Sequence, residues 1–245
     1  VASSNFVVSS QPRIRRAEFG QKAGGARHGG YRSMLDLQIN GRVIGTDWDD
    51  LKTKADAIAK LLDPLDGDKT IMLDERNDRQ WTGRLVSPIM PPVLGCAAFD
   101  MPLTFVVDPI AESNTLTTQS FTITTDPDTI TVPASGTVAG NMRAVPVWKI
   151  ENTNASDVTD HTVNNTTTSQ AVQNTKTIQQ NEFIRHDTER QITEFSADDS
   201  TYTSAMNVMD ATDKTFPELQ DGVSNSITVT GVTDGTVTIT YRARY

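Results

Sequence analysis

Apolar and polar residues alternate along MLDLQINGRVI (34–44), with Leu35, Leu37 and Ile39 on one side and Asp36 and Gln38 on the other. A period of two is a strand pattern, and Asn40-Gly41, a pair that tolerates positive φ, predicts a type I′ hairpin turn within it. The period then changes. In TDWDDLKTKADAIAKLLDP, Leu51, Ala55, Ile58 and Leu62 recur at helical spacing, acidic residues sit where the helix dipole favours them, and Pro64 closes the run. The spacing predicts one helix, with Lys52, Lys54 and Lys60 on its solvated side. KTIMLD and RQWTGRLV, separated by ERND, predict a second hairpin. FDMPLTFVV aligns Phe99, Met101, Leu103, Phe105 and Val107 on one face, and Pro102, which has no N–H, requires that strand to lie at an edge or carry a bulge.

After Asp108-Pro109 the chain turns rich in Thr, Ser, Asn and Asp, and helical periodicity disappears. FTITTD, TITVPASG, VPVWKIEN, TIQQNEFI, RQITEF and SITVTGVTDGTVTITYRARY all read as short strands, and that regular spacing predicts a β-sandwich. Asp234-Gly235 predicts a closing hairpin, with Val237, Ile239 and Tyr241 on one face and Thr238 and Thr240 on the other. The polar stretch 153–177 reads as a decorated hairpin rather than a linker. In FPELQDGVSNSITV, Pro217 starts a turn, Phe216 and Leu219 plug the end of the sandwich, and Asp221-Gly222 turns the chain into its next strand.

The expected class is therefore mainly β with one helix, in two domains, 1–110 (α+β) and 111–245 (β-sandwich). Charge follows the same division. Residues 1–110 carry 14 Lys plus Arg against 14 Asp plus Glu, and residues 111–245 carry 8 against 17, so the net charge of −9 lies in the second half. Such a balance disfavours tight nucleic-acid binding, which needs clustered cations. One cysteine, Cys96, excludes an intrachain disulfide and fits a reducing compartment. No apolar run reaches the length of a membrane helix, and VASSNFVVSSQPRIRR has no secretory core.

Candidate chemistry is sparse. GQKAGGARHGG (20–30) lacks the Lys and Ser/Thr of a phosphate loop and reads as a flexible loop or arm. His28, His161 and His186 stand at no ligand spacing from one another or from Cys96, so no metal site is expected. His186-Asp187 lies where FIRHDTERQITEF reads strand, turn, strand, which makes Asp187 a turn residue rather than part of a catalytic pair. The acid pairs Asp126/Asp128 and Asp198/Asp199 also fall in turns. No catalytic, cofactor-binding or metal residues are expected, and the chain does not read as an enzyme. A sugar platform would fall on Trp148 and Tyr202, although Trp148 in VPVWKIEN has the apolar neighbours of a core residue.

The order of these segments carries a further implication. GGARHGGYRS, a hairpin, DLKTKADAIAKLLDP, TIMLDERNDRQWTGRLV and a strand ending FVVDP are followed by VPVWKIEN, TIQQNEFIRHDTERQITEF, FPELQDGVSNSITVTG and a last hairpin. In that order the chain resembles the distal tail protein of long-tailed, non-contractile bacteriophages. The resemblance implies an N-terminal ring-forming domain related to the tail-tube fold and a C-terminal galectin-like, or carbohydrate-module-like, sandwich. It further implies a homohexameric ring at the virion tail tip, assembled in the bacterial cytoplasm, that adapts the tail tube to the tail hub while DNA passes through its lumen. Arg13, Arg15 and Arg16 with Gly24 and Gly25 would then form an inter-subunit arm. The alternative reading is a carbohydrate-binding sandwich module of a surface or tail-fibre protein.

Overall fold

A computed structural model describes residues 34–87, 89, 95–209 and 215–245 in full, and the backbone of 3–5, 12–18, 25–32 and 210–214. Among the described residues the chain is mainly β with one α-helix, and it divides into two compact units, Val1–Ala111 and Glu112–Tyr245.

The first unit contains β1 (Ser3–Asn5), β2 (Pro12–Glu18), β3 (Gly25–Arg32), β4 (Leu35–Ile44), α1 (Trp48–Leu61), β5 (Lys69–Leu73), β6 (Arg76–Leu85) and β7 (Ala98–Val107). Five of the strands form an antiparallel sheet in the order β1-β4-β7-β6-β5, and β2 and β3 pair separately as a two-stranded ribbon. The helix forms where its periodicity predicts. Asp47 caps it by accepting from the Asp50 N–H at 2.9 Å, and Leu51 and Ala55 are its buried positions. Lys52, Lys54 and Lys60 are exposed, with Lys54 Nζ 2.8 Å from Asp50 Oδ2.

The first expected hairpin does not form. Leu35–Ile44 is one continuous strand paired with Ala98–Val107, and Asn40-Gly41 lies mid-ladder opposite Pro102 and Met101. Ten consecutive pairs with a distant strand, burying Leu35, Leu37, Val43, Met101, Leu103, Phe105 and Val107, outweigh a local two-residue turn. The second hairpin does form, between β5 and β6, with Asp74-Glu75 at its tip and a bulge after Met72. Pro102 meets its constraint through strand length. Thr104, of the same phase, exchanges bonds with the Ser87 side, whereas β6 pairs with β7 only at residues 105–107. The missing N–H of Pro102 therefore faces a side of β7 where no described strand is paired.

The second unit is a two-sheet sandwich. One sheet has the order β16-β15-β14-β11-β19-β9 and the other β10-β18-β12-β13-β17. These strands are β9 (Thr117–Ile123), β10 (Asp128–Val132), β11 (Val147–Asn152), β12 (His161–Asn165), β13 (Gln170–Asn174), β14 (Phe183–Asp187), β15 (Ile192–Ser196), β16 (Thr203–Ser204), β17 (Met209–Lys214), β18 (Asn225–Thr230) and β19 (Gly235–Tyr241); β8 is the short Glu112–Ser113. Alternate residues of each sheet meet in one core, Trp148, Ile150, Ile184, Val237 and Ile239 against Ile130, Val163, Val172, Ile227 and Val229.

Stretch 153–177 supplies the β12–β13 hairpin, and Phe216 and Leu219 are buried in the core as FPELQDG predicts. Two expectations fail. Thr177–Gln180 is not a strand, since β14 begins at Phe183. Asp234-Gly235 does turn, with Asp234 at φ 56, but β18 and β19 belong to different sheets. Both strands find longer ladders elsewhere, β18 between β10 and β12 and β19 between β11 and β9, so the turn carries the chain across the core instead of folding it back. Trp148→Ala should lower the stability of the second unit by about 3–5 kcal/mol in denaturant titration, because it empties a fully buried site.

Candidate assembly surfaces

Both units present side chains that their own cores do not use. In the first unit Met34, Ile44, Leu61, Leu65, Met72 and Val86 are exposed, Leu65 by 91%. The second unit is larger, yet among its described residues the exposed large apolar side chains are Leu116, Met206 and Val223. Isolated exposed apolar residues are ordinary, but their greater number on the smaller unit, among the described residues, makes that unit the place to look for an interaction surface. Local sequence explains several of them. Leu61 and Leu65 straddle the end of α1, where Leu62 caps the helix and Pro64–Asp66 forms a single 3-10 turn with no buried residue. Met72 lies on β5, an edge strand, at the bulge in its pairing.

Of the expected arm, Arg13, Arg15 and Arg16 lie on β2 and Gly25 opens β3, opposite Glu18. The ribbon shifts register between Ile14 and Arg16, and Gly24 lies outside the described residues. Trp148 is fully buried, and its indole N–H donates to the Pro217 carbonyl at 3.1 Å, so it offers no ring face to a sugar.

Tyr202 is partly exposed on the outer side of the six-stranded sheet, but its neighbours already engage it. Its hydroxyl donates to Asp199, whose other oxygen receives Lys149 Nζ at 2.6 Å, and the Arg185 guanidinium lies 4.1 Å from the ring centroid. Arg185 is also paired with Glu194. Burial raises Asp199, but the Lys149 ammonium and the Tyr202 hydroxyl outweigh it and leave the carboxyl below its ordinary range. Burial and the Asp199 carboxylate together hold the Tyr202 phenol well above its ordinary range. The cluster is closed upon itself rather than poised for a reaction.

The residues screened for chemistry occupy structural places. Asp187 Oδ1 accepts from the Arg190 N–H at 2.9 Å, as a turn residue does. The Ser200 hydroxyl, then the N–H groups of Ser200 and Thr201 and the Ser196 hydroxyl, hold the Asp198 carboxyl low. Among the described residues no group of three or more His, Cys, Asp and Glu could hold a metal ion, and no helix is long and apolar enough to cross a membrane. Sequence spacing did miss one pair. His161 and His186 meet inside the sandwich, Nε2 to Nε2 at 3.1 Å. The available signal was phase, since each histidine shares the alternation of buried residues, Val163 for one and Ile184 for the other.

Comparison with solved structures shows where this two-unit arrangement recurs. The crystal structure of the SPP1 Dit protein, described as a paradigm of the hub adsorption apparatus in phages infecting Gram-positive bacteria, aligns over 100% of this chain and 92% of its own length, with TM-score 0.70 and 14% identity. The chain has the fold of a phage distal tail protein. The baseplate of phage P2 in its activated conformation is also similar. Its calcium form aligns over 98% of this chain and 90% of its own at TM-score 0.52 and 9% identity, and its strontium form over 97% and 88% at 0.50 and 9%. No protein-family model and no curated protein matches the sequence. The Dit fold is thus shared through the pattern of strands and turns at an identity that preserves few side chains.

Substituting Asp199→Asn should bring the Tyr202 phenol back toward its ordinary range in an ultraviolet titration, because the anion that opposes phenolate formation is removed.

Proposed function

We propose that the chain is a structural protein of a phage tail tip, where six copies close into a ring that joins the tail tube to the tail hub or baseplate. The observation that carries this reading is the full-length correspondence to SPP1 Dit, which spans both units rather than an isolated sandwich. On this reading the protein belongs to the virion, is assembled in the bacterial host's cytoplasm, and lets DNA pass through its lumen without gripping it. The even charge of residues 1–110 suits such a lining.

Self-association falls to the first unit. A closed ring of identical subunits needs two different, complementary surfaces on each copy. The exposed apolar side chains from Met34 to Val86 supply material for them, and among the described residues the strand order β1-β4-β7-β6-β5 ends in two edges, β1 and β5. The β2–β3 ribbon, with Arg13, Arg15, Arg16 and Gly25, is the candidate arm that reaches a neighbour. Carbohydrate recognition by the second unit is the weaker reading, because Trp148 is buried and Tyr202 is engaged by Asp199 and Arg185.

Negative-stain imaging and mass photometry, with the tube and hub partners present if needed, should show six-fold rings. A strictly monomeric protein under all those conditions counts against the ring. Leu65→Asp combined with Met72→Asp should dissolve the rings while leaving the fold intact, since substitutions at such exposed positions ordinarily change stability by less than about 0.5 kcal/mol. Deletion of residues 1–30 should also prevent ring closure, and stable rings formed without them would remove the arm from the assembly.

A further inference from the structure

His161 on β12 and His186 on β14 belong to opposite sheets, and both side chains are fully buried. With Nε2 atoms 3.1 Å apart, one imidazole must donate and the other accept. The surrounding partners assign the roles. His186 Nδ1 lies 2.8 Å from Thr193 Oγ1, and that hydroxyl lies 3.5 Å from Met209 Sδ, which can only accept. Thr193 therefore donates to Met209 and accepts from His186 Nδ1–H, which leaves His186 Nε2 to accept from His161 Nε2–H. His161 Nδ1 is left as a bare acceptor with no partner. The reverse polarity would place an orphaned N–H in the core, and orphaned donors are the rarer case.

Thr193 also seats a strap, residues 203–214, which leaves one sheet as β16 and joins the other as β17. Its N–H points at Met206 Sδ at 3.0 Å, and its carbonyl accepts from the Ala205 N–H at 2.8 Å. From the opposite sheet, Asn174 Nδ2 donates to the Ala205 carbonyl at 3.0 Å and the Thr175 N–H to the Val208 carbonyl at 3.0 Å. The histidine pair, Thr193 and the strap are thus one hydrogen-bonded unit spanning both sheets.

We propose that His161 and His186 form an acid-sensitive latch: neutral, they join the two sheets and seat the 203–214 strap through Thr193, and on protonation they release it. The first proton has one vacant acceptor to occupy, His161 Nδ1, and there it creates a buried imidazolium with nothing to receive its new N–H. Nor is there a counter-ion against the pair among the described residues. Trp148 on β11 and Thr193 on β15 flank His186, Asn174 on β13 flanks His161, Gly231 backs onto His161 Cα, and Phe216 presents its ring 6.4 Å from that of His186. The adjoining acids are turned to other work. Asp160 is exposed and accepts from Gln173 Nε2 at 2.8 Å, and Asp187 accepts from the Arg190 N–H.

Burial lowers His161 from 6.5 to about 4, with Asp160 only partly opposing, and lowers His186 well below its ordinary value, with His161 adding to the effect. A histidine depressed in the folded state binds its proton first in the unfolded chain. Stability is therefore complete above about pH 6.5 and is lost as the pH falls toward about 4.

In urea titrations followed by amide signals of β11 and β19, the folding constant of the second unit should fall about thirty-fold between about pH 8 and about pH 5 through His161 alone. Imidazole nitrogen shifts at neutral pH should show His161 protonated at Nε2 and His186 at Nδ1. The Met206 and Met209 methyl signals should move over the same acid range before the rest of the core; if they stay fixed until the core unfolds, release of the strap is wrong. His161→Gln keeps an N–H donor toward His186 without a titrating ring and should remove the thirty-fold part of the pH dependence that His161 contributes, leaving only that of His186. An unchanged profile in that variant, or imidazoles of the folded protein that titrate near their ordinary value, would overturn the latch. Should the variant fail to fold, the wild-type imidazole titration decides.

Discussion

The indole N–H of Trp148 donates to the Pro217 carbonyl from within the second unit's core, and much of that unit is arranged to keep the bond. A buried donor left without a partner costs about 1–3 kcal/mol, so a tryptophan at the centre of β11 demands an acceptor at depth. Strand carbonyls are committed to their ladders, and the acceptor comes instead from a turn whose proline cannot join one. The Thr188 hydroxyl uses the same carbonyl, Leu219 exchanges both backbone bonds with Ala144, and Asn165 and Asn225 fasten the segment to β12 and β18. Phe216 and Leu219, held on either side of Pro217, then close the core that Trp148 occupies. Neither sheet alone supplies both halves of this arrangement, which couples the register of β11 to the position of the turn.

How much of this was legible in sequence depends on whether a residue's role is local. Alternation in VWKIEN or VTITY states which side chains are buried, because a strand's two faces differ wherever it packs. The helix and its caps are equally local. Pairing is not. Asn40-Gly41 and Asp234-Gly235 both carry strong hairpin signals, and both yield to long-range ladders, the first by running straight through and the second by crossing between sheets. A two-residue turn contributes less than a full strand of cross-strand pairs, so the tertiary partner decides. The histidine pair belongs to the same class, since residues 25 positions apart meet only because β12 and β14 face each other from different sheets.

The expected site residues divide along the same line. The burial of Trp148 follows from its phase in β11, whereas the engagement of Tyr202 depends on the loop that carries Asp199 meeting Lys149 and Arg185, cross-strand partners on β11 and β14. Sequence gave no reason to single out Met34, Ile44, Leu61, Leu65, Met72 and Val86 either. Their exposure depends on tertiary context: Leu61 and Leu65 lie about the end of α1, and Met72 lies on the edge strand β5.

Low identity with a conserved fold bears on what can be carried across to this chain. At 14% identity to SPP1 Dit the fold is shared while most side chains differ. An assembly surface must therefore be argued from this chain's own residues. Among the described residues the first unit has two sheet edges, β1 and β5, with no strand paired beyond them, and six exposed large apolar side chains, a combination that invites uncontrolled association in an isolated subunit. The proposed ring would remove that hazard, because in a closed ring each exposed edge is used once and none is left to recruit another copy. The second unit has opposite properties among its described residues: few exposed apolar side chains, the chain's excess of acidic charge and polar outer faces, which suit a body in contact with solvent, as the proposed assembly through the first unit requires.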